Sequence, residues 1–208
     1  MAKIIMLPGR RAYQCKVVLI GSRPRVWRKF HVPEDYALHK LHMVLQIVMG
    51  WEEYHLYEFQ VDRTSYGEPH PDYGNKMKDS RSIKISQVAN RTTKFKYIYD
   101  FGDGWQHEVS LEKMLPMQRD VRYPVCLGGA NACPPEDCGG MGGYGSFLRA
   151  IRNPAHKEHE RMLDWVERVT SVHELRIQNF ECRGGTVGRC GDFPRGQARK
   201  EYYRTGEG

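Results

Sequence analysis

An α+β domain, with a mainly antiparallel, roll-like mixed sheet and three to four helices packed on it, is the fold class this sequence predicts. Two observations carry the prediction. Period-two alternation at 26–32 and 54–61 is interrupted by helical spacing at 38–48 and again at 162–169, and the resulting order β-β-α-β then β-β-α-α lacks the regular strand-helix alternation of a parallel doubly wound sheet. At 208 residues, 40% hydrophobic and 27% charged, the chain has the usage of a globular domain and the length to bury one core. A single domain is expected over 1–181. Residues 182–208 form a basic Gly/Arg-rich tail, with too little apolar surface to offset ordering entropy, and are expected to be disordered.

In chain order, residues 12–20 are rich in β-formers and Gly21-Ser22-Arg23-Pro24 is a turn. Val26, Arg28, Phe30 and Val32 then share one strand face, with Trp27, Lys29 and His31 on the other, completing a hairpin. Leu38, Leu41, Leu45 and Val48 recur at three- and four-residue steps before Gly50, so a helix runs between them with Asp35 as a candidate cap. Residues 54–61 alternate as a strand, while 62–80, with Gly67, Pro69, Pro71 and Gly74, read as a long loop. A short strand at 83–85 and a helical turn at 86–89 follow.

Strands at 94–101 and 105–112 are joined by Gly102-Asp103-Gly104, a register that pairs Phe101 with Trp105 and Tyr99 with His107. His107 then shares the face of Trp105, Val109 and Leu111, and Asp100 falls on the opposite one. Residues 116–143 are Pro- and Gly-rich and read as structured loop. One helix is expected near 144–152, and a second with Asn153 as cap and Pro154 at its first position, burying Met162, Leu163, Val166 and Val169.

Charge is unevenly placed. Residues 1–50 hold nine Lys or Arg against two acids, which leaves 23 bases and 23 acids for the rest, so the whole excess of +7 lies in this segment. Arg23, Arg25, Arg28 and Lys29 around a turn are candidates to meet the phosphates of DNA or another polyanion. A solvated basic edge that discourages strand pairing is the other reading. No apolar run reaches the roughly 18 residues that span a bilayer, and the opening residues are too short for a signal-peptide core, so no membrane partner and a cytoplasmic location are expected. Six cysteines in such a chain suit reduced thiols or a metal better than a disulfide framework.

Two segments crowd acids and glycines where packing alone would favour apolar residues. They are Tyr99-Asp100-Phe101-Gly102-Asp103-Gly104-Trp105-Gln106-His107 and Cys133-Pro134-Pro135-Glu136-Asp137-Cys138-Gly139-Gly140, and folded against each other they would make one composite site. Asp100-Phe101-Gly102 lacks the glycine loop, paired lysine and catalytic Asp of a kinase, and residues 100–104 lack the ligand spacing of a calcium loop. Asp100, Asp103, His107, Glu136 and Asp137 are the candidate catalytic groups. His107, Cys126, Cys133 and Cys138 are a candidate tetrahedral zinc shell, although the cysteine gaps are wider than the usual two-residue step. Against this stand buried inert thiols, and Asp100 and Asp103 bonded to the N–H groups of their own turn. His39 with His42, and His156 with His159, sit three apart on helices, a spacing that can share a metal but that solvated helix surfaces carry routinely, and the solvated surface is the reading preferred here.

Four segments together, 41–51, 55–59, 99–107 and 132–140, resemble the Ri-plasmid open-reading-frame-three-like family, whose members also occur as passenger proteins of transposable elements. The resemblance spans about residues 12–169. It implies a compact α+β roll, a plasmid or mobile-element neighbourhood and a loose historical label of transposon resolvase, without an established reaction. In that family a second His is a common choice where Tyr57 stands, so a His-x-His pair is absent here. Strand exchange needs a Ser or Tyr nucleophile among arginines, and no such constellation adjoins the acidic motifs.

Three functions follow as expectations. The first is an accessory module of mobile DNA touching nucleic acid through Arg23, Arg25, Arg28 and Lys29. The second is a metal-assisted hydrolase or transferase built on the two acidic segments. The third is a protein-interaction scaffold, which calls for a sizeable exposed apolar patch.

Overall fold

A computed structural model describes residues 6–69 and 77–170. The elements in order are β1 (Met6–Leu19), β2 (Trp27–Pro33), α1 (Leu38–Met49), β3 (Tyr57–Val61), β4 (Thr64–Gly67), β5 (Lys78–Asp79), α2 (Ile85–Ala89), β6 (Lys94–Tyr99), β7 (Trp105–Gln118), β8 (Val125–Ala130), α3 (Gly140–Arg152) and α4 (His159–Thr170). The strands form one eight-stranded sheet in the order β5-β4-β3-β6-β7-β1-β2-β8. Among the described residues β4 and β5 run parallel and the other neighbours antiparallel, so the expected α+β class holds. No described helix is long and apolar enough to cross a membrane. The expected tail, 182–208, lies outside the described residues.

The sheet is two-faced because its strands alternate. Cys15, Val17 and Leu19 of β1, Phe30 and Val32 of β2, Tyr97 and Tyr99 of β6 and Trp105 and Val109 of β7 join the buried faces of α1, α2 and α3 in one apolar cluster. On the opposite face Lys29 pairs with Glu112 at 2.9 Å, Lys94 with Glu108 at 3.2 Å, and Lys16 sits 5.1 Å over the Trp27 ring. Helix α1 buries Leu38, Leu41, Leu45 and Val48 as their spacing predicts, and Gly50, at φ 81°, turns the chain away by donating its N–H to Gln46 O and Ile47 O.

Several expected boundaries move, each for a local reason. Asp35 does not cap α1. Ala37 is the N-cap, and Leu38 N donates instead to Ile83 O at 3.0 Å. Residues 62–80 contain β4, joined to β3 by a two-residue turn at Asp62-Arg63. Residues 116–143 contain the end of β7 and the whole of β8, whose glycines disguise a strand. A Cβ on Gly129 would lie 2.5 Å from Arg28 Cδ and 2.7 Å from Trp27 O, so glycine there is what lets β8 pair with β2. Asn153 accepts from Ala155 N at 3.1 Å and closes only a local turn, while α4 begins at His159, whose Nδ1 bonds Ala150 O at 2.9 Å.

Candidate functional site

Three connections meet at one end of the sheet: 51–56 after α1, 100–104 between β6 and β7, and 131–139 between β8 and α3. The centrepiece is Trp51, 3% exposed, which stacks on Tyr99 at 5.0 Å and meets His107 edge-on at 5.2 Å. Its Nε1 donates to Pro134 O at 2.9 Å, so an indole from the first connection pins the Pro134–Pro135 bend of the third.

Glu136 locks the same junction. One carboxylate oxygen accepts from the Tyr99 hydroxyl at 2.5 Å and the other from Glu52 N at 2.7 Å. Burial pushes its carboxyl above the ordinary range, and these two hydrogen bonds oppose that rise. Asp103 completes the lock by accepting from Gly139 N at 3.1 Å. Gly140, at φ 64°, passes so close that a Cβ would lie 2.5 Å from Asp103 O. The two glycine-bearing segments therefore do fold against each other.

At this junction the His55 ring reaches Asp137 Oδ1 at 3.1 Å and Asp100 Oδ2 at 3.7 Å from the same Nε2. Asp100 is 7% exposed and left-handed at φ 54°; its other oxygen accepts from Gly102 N at 2.9 Å, and its own N–H donates to Leu56 O. Asp137 is also left-handed at φ 57°, as is Glu53 at φ 66°. With Asn131 at φ 63°, four of the five described non-glycine residues with positive φ thus lie in this junction, where such backbone costs about 1–3 kcal/mol each.

The expected zinc shell does not assemble. His107 is fully buried in the β6–β7 face with Nδ1 3.2 Å from Tyr97 O, and burial lowers its pKa to about 4. Cys126 is buried opposite Phe30, Cys133 lies 3.2 Å from an Arg28 nitrogen, and burial pushes the Cys138 thiol up to about 12. Among the described residues, the group of His, Cys, Asp and Glu whose donor atoms all fall within 4.8 Å of one another is His55, Asp100 and Asp137. The hairpin register also shifts by two. Tyr99 pairs with Trp105 and Tyr97 with His107, because the left-handed Asp100 makes the connection five residues long.

The basic cluster divides. Arg28 is 6% exposed and bonds Val48 O at 3.0 Å, Trp27 O at 2.8 Å and Ala130 O at 3.1 Å, so it is turned into the protein rather than toward a phosphate. Lys29 is paired with Glu112, while Arg23 and Arg25 are exposed. Among the described residues the exposed large apolar side chains, Met6, Ile20, Tyr54 and Met114, belong to separate segments.

A second polar constellation lies beneath this junction, and it corrects the expectation that His39 and His42 sit on a solvated helix surface, because His42 faces the core. His42, 1% exposed, stacks flat on Tyr57 at 3.6 Å with its Nδ1 2.8 Å from the Tyr97 hydroxyl, and burial next to His39 lowers its pKa to about 3. His39 bonds the Tyr57 hydroxyl at 2.9 Å, which in turn meets Ser80 at 2.7 Å. The signal that could have found His55 is strand pairing. Two aromatic strands, β3 and β6, pair Tyr57 with Tyr99 and so carry the residues before one alongside those after the other.

Residues 11–182 match the model of the plasmid pRiA4b ORF-3-like protein family. The chain is 40% identical over 167 residues to the uncharacterized protein y4hQ of Sinorhizobium fredii (strain NBRC 101917 / NGR234), covering 79% of this chain and 84% of that one. Among solved structures it resembles the crystal structure of the protein of unknown function MM3350 from Methanosarcina mazei Go1, with a TM-score of 0.69 and 36% identity over 75% of this chain and 89% of that one.

Proposed function

The chain belongs to the plasmid pRiA4b ORF-3-like family, and from that footing we propose that its three-loop junction binds a divalent transition-metal ion through His55, Asp100 and Asp137 and activates water there, as a metal-assisted hydrolase or transferase. The carrying observation is the convergence of one imidazole nitrogen and two carboxylate oxygens from three distant stretches of chain. Their separations of 3.1 and 3.7 Å bracket the spacing of about 3.4 Å between two ligands of a tetrahedral ion. Three protein ligands leave a position for water, whose proton the ion makes easier to remove. The backbone strain at Asp100 and Asp137 supports the reading, since such conformations cluster where geometry serves a site.

The other candidates take supporting parts. Glu136 and Asp103 tie the loops so that the donors stay aimed, and His107 belongs to the packed wall behind them. Asp137→Asn is the test, because Asp137 is 68% exposed and contributes little packing. Equilibrium dialysis against Zn²⁺ or Mn²⁺ should show one equivalent lost in the variant with the melting temperature unchanged. Equal uptake by both proteins refutes the assignment and leaves His55 as an ion-pair partner.

A second reading rests on Arg23 and Arg25. Both are exposed, and Arg25 borders a surface groove of about 410 Å³ whose lining mixes Lys16 and Lys94 with Glu108 and Glu112, so it is the two exposed guanidiniums rather than the groove that would meet a nucleic-acid backbone. Duplex DNA affinity measured across a salt series should fall steeply, and the fall should shrink in Arg23→Ala/Arg25→Ala. An affinity flat in salt counts against phosphate contact.

A further inference from the structure

Gln46, in the last turn of α1 and 2% exposed, holds three amides of the chain that leads to His55. Its main-chain oxygen accepts from Gly50 N and Trp51 N, both at 2.9 Å, and its side-chain Oε1 accepts from Glu53 N at 3.0 Å. The last of these bonds fixes the direction of everything joined to it. A backbone N–H only donates, so Oε1 must face Glu53 and the Gln46 amide nitrogen donates to the Tyr97 hydroxyl at 2.9 Å. The hydroxyl's own proton then goes to His42 Nδ1 at 2.8 Å.

His42 therefore carries its N–H on Nε2, and that N–H faces Glu53 Oε1 at 3.6 Å, a charge–dipole contact somewhat longer than a hydrogen bond. The circuit opens on the main chain of Glu53 and closes on its carboxylate, with each donor pointing the same way round. His42 and Gln46 stand one turn apart on one face of α1, and the imidazole is kept in place by Tyr57, against which it lies flat with planes 8° apart. Glu53 is a non-glycine residue at φ 66°, a conformation that persists only where its surroundings impose it. His55 follows two residues later, and beyond it Leu56 O accepts from Asp100 N at 2.9 Å. The imidazole of His55 is thus carried between two anchors, one on α1 and one on the β6–β7 connection.

We propose that Gln46 is a positioning residue of the three-loop site: it touches neither ion nor substrate, and by gripping Glu53 it aims the His55 imidazole at Asp100 and Asp137. The consequence for metal affinity rests on the reading of that site given above. Partners behind a metal ligand typically change affinity by about 10–100-fold, and Gln46, which acts through two residues of backbone, belongs at the lower end of that range.

The test compares the wild type with Gln46→Met, which keeps the length of the side chain and loses both polar atoms, and with Tyr97→Phe, which removes one oxygen from the circuit. Zn²⁺ affinity, measured by competition with a chromophoric chelator well below the melting temperature, should fall about tenfold in Gln46→Met and by less in Tyr97→Phe, and the visible spectrum of bound Co²⁺ should change with it. A substitution that merely weakened the fold would lower the melting temperature and move neither. Two NMR readouts need no metal. Nitrogen shifts of His42 should report the Nε2–H tautomer in the wild type, and the His55 ring resonances, displaced by the Tyr99 ring 5.8 Å away, should move in both variants. Zn²⁺ held equally by all three proteins overturns the positioning role and leaves the metal site standing. Wild-type protein that takes up no Zn²⁺ refutes the metal reading, and His55 resonances that still move in the variants support the positioning role on their own. Resonances unmoved in both variants, or an Nδ1–H tautomer at His42, overturn the proposal. Tyr97→Phe alone decides it if Gln46→Met does not fold.

Discussion

The β6–β7 hairpin has two ends built from opposite materials. Toward the core, Tyr97, Trp105, His107 and Val109 are fully buried, in regular pairing, with a histidine that serves as packing. At its turn, Asp100 and Gly104 are left-handed, and Asp103 and Asp100 spend their oxygens on loop N–H groups. Fewer than ten residues separate an imidazole kept neutral by apolar walls from carboxylates arranged around another imidazole. Residue type alone therefore does not say which His carries chemistry; the surroundings decide it.

The largest effect of a single substitution should come from the residue that spans both ends. Trp51→Ala removes the stack on Tyr99 and the bond to Pro134, and a core Trp-to-Ala change costs about 3–5 kcal/mol, read as a lower midpoint in urea unfolding. Acid acts on the buried end through two rings at once and can match or exceed that loss. His107 and His42 are depressed to about 4 and about 3 in the fold against 6.5 for a free ring, so below pH 6.5 the unfolded chain binds protons that the native one refuses. Stability is therefore full above pH 6.5 and falls by about 1.4 kcal/mol per unit for each ring as pH drops toward 4. Urea titrations at several pH values should show this slope, and His107→Phe should remove one ring's share.

Smaller changes probe the turn end. Tyr99→Phe deletes the hydroxyl that Glu136 accepts and should cost about 1.5–3 kcal/mol, as for hydrogen bonds to charged groups, with faster amide exchange at Glu52. Gly140→Ala forces a Cβ against Asp103 O at a positive φ, so it should loosen the loop junction by about 1–2 kcal/mol and weaken metal uptake while leaving the core's near-ultraviolet signal intact. Asp137→Asn sits at the bottom of the scale, within about 0.5 kcal/mol, as expected for an exposed side chain. If it proved as damaging as Trp51→Ala, the division between the two ends would be wrong.

The α+β class, α1 with its Gly50 stop and the inward face of β7 were legible because each rests on periodicity or a single terminator. The meeting of the 100–104 and 133–140 segments was also legible, from acids placed where packing has no use for them. The same face assignment that put Arg28 beside Phe30 and Val32 already implied its burial, and counting it among the surface cations overrode that geometry. His55 was missed because its partners are set by the β3–β6 pairing, which no local pattern announces. Strand β8 was missed because its glycines answer to Arg28 and Trp27 across the sheet, and not to any preference of their own.

His55, Asp100 and Asp137 are brought together by tertiary contacts alone, so an unfolded chain offers no comparable grip. An ion captured there would favour the native ensemble by mass action, by about 2.7 kcal/mol at a hundredfold excess over its dissociation constant. Foldedness in this chain would then become dose-dependent, with the cell's supply of transition metal setting how long each copy survives.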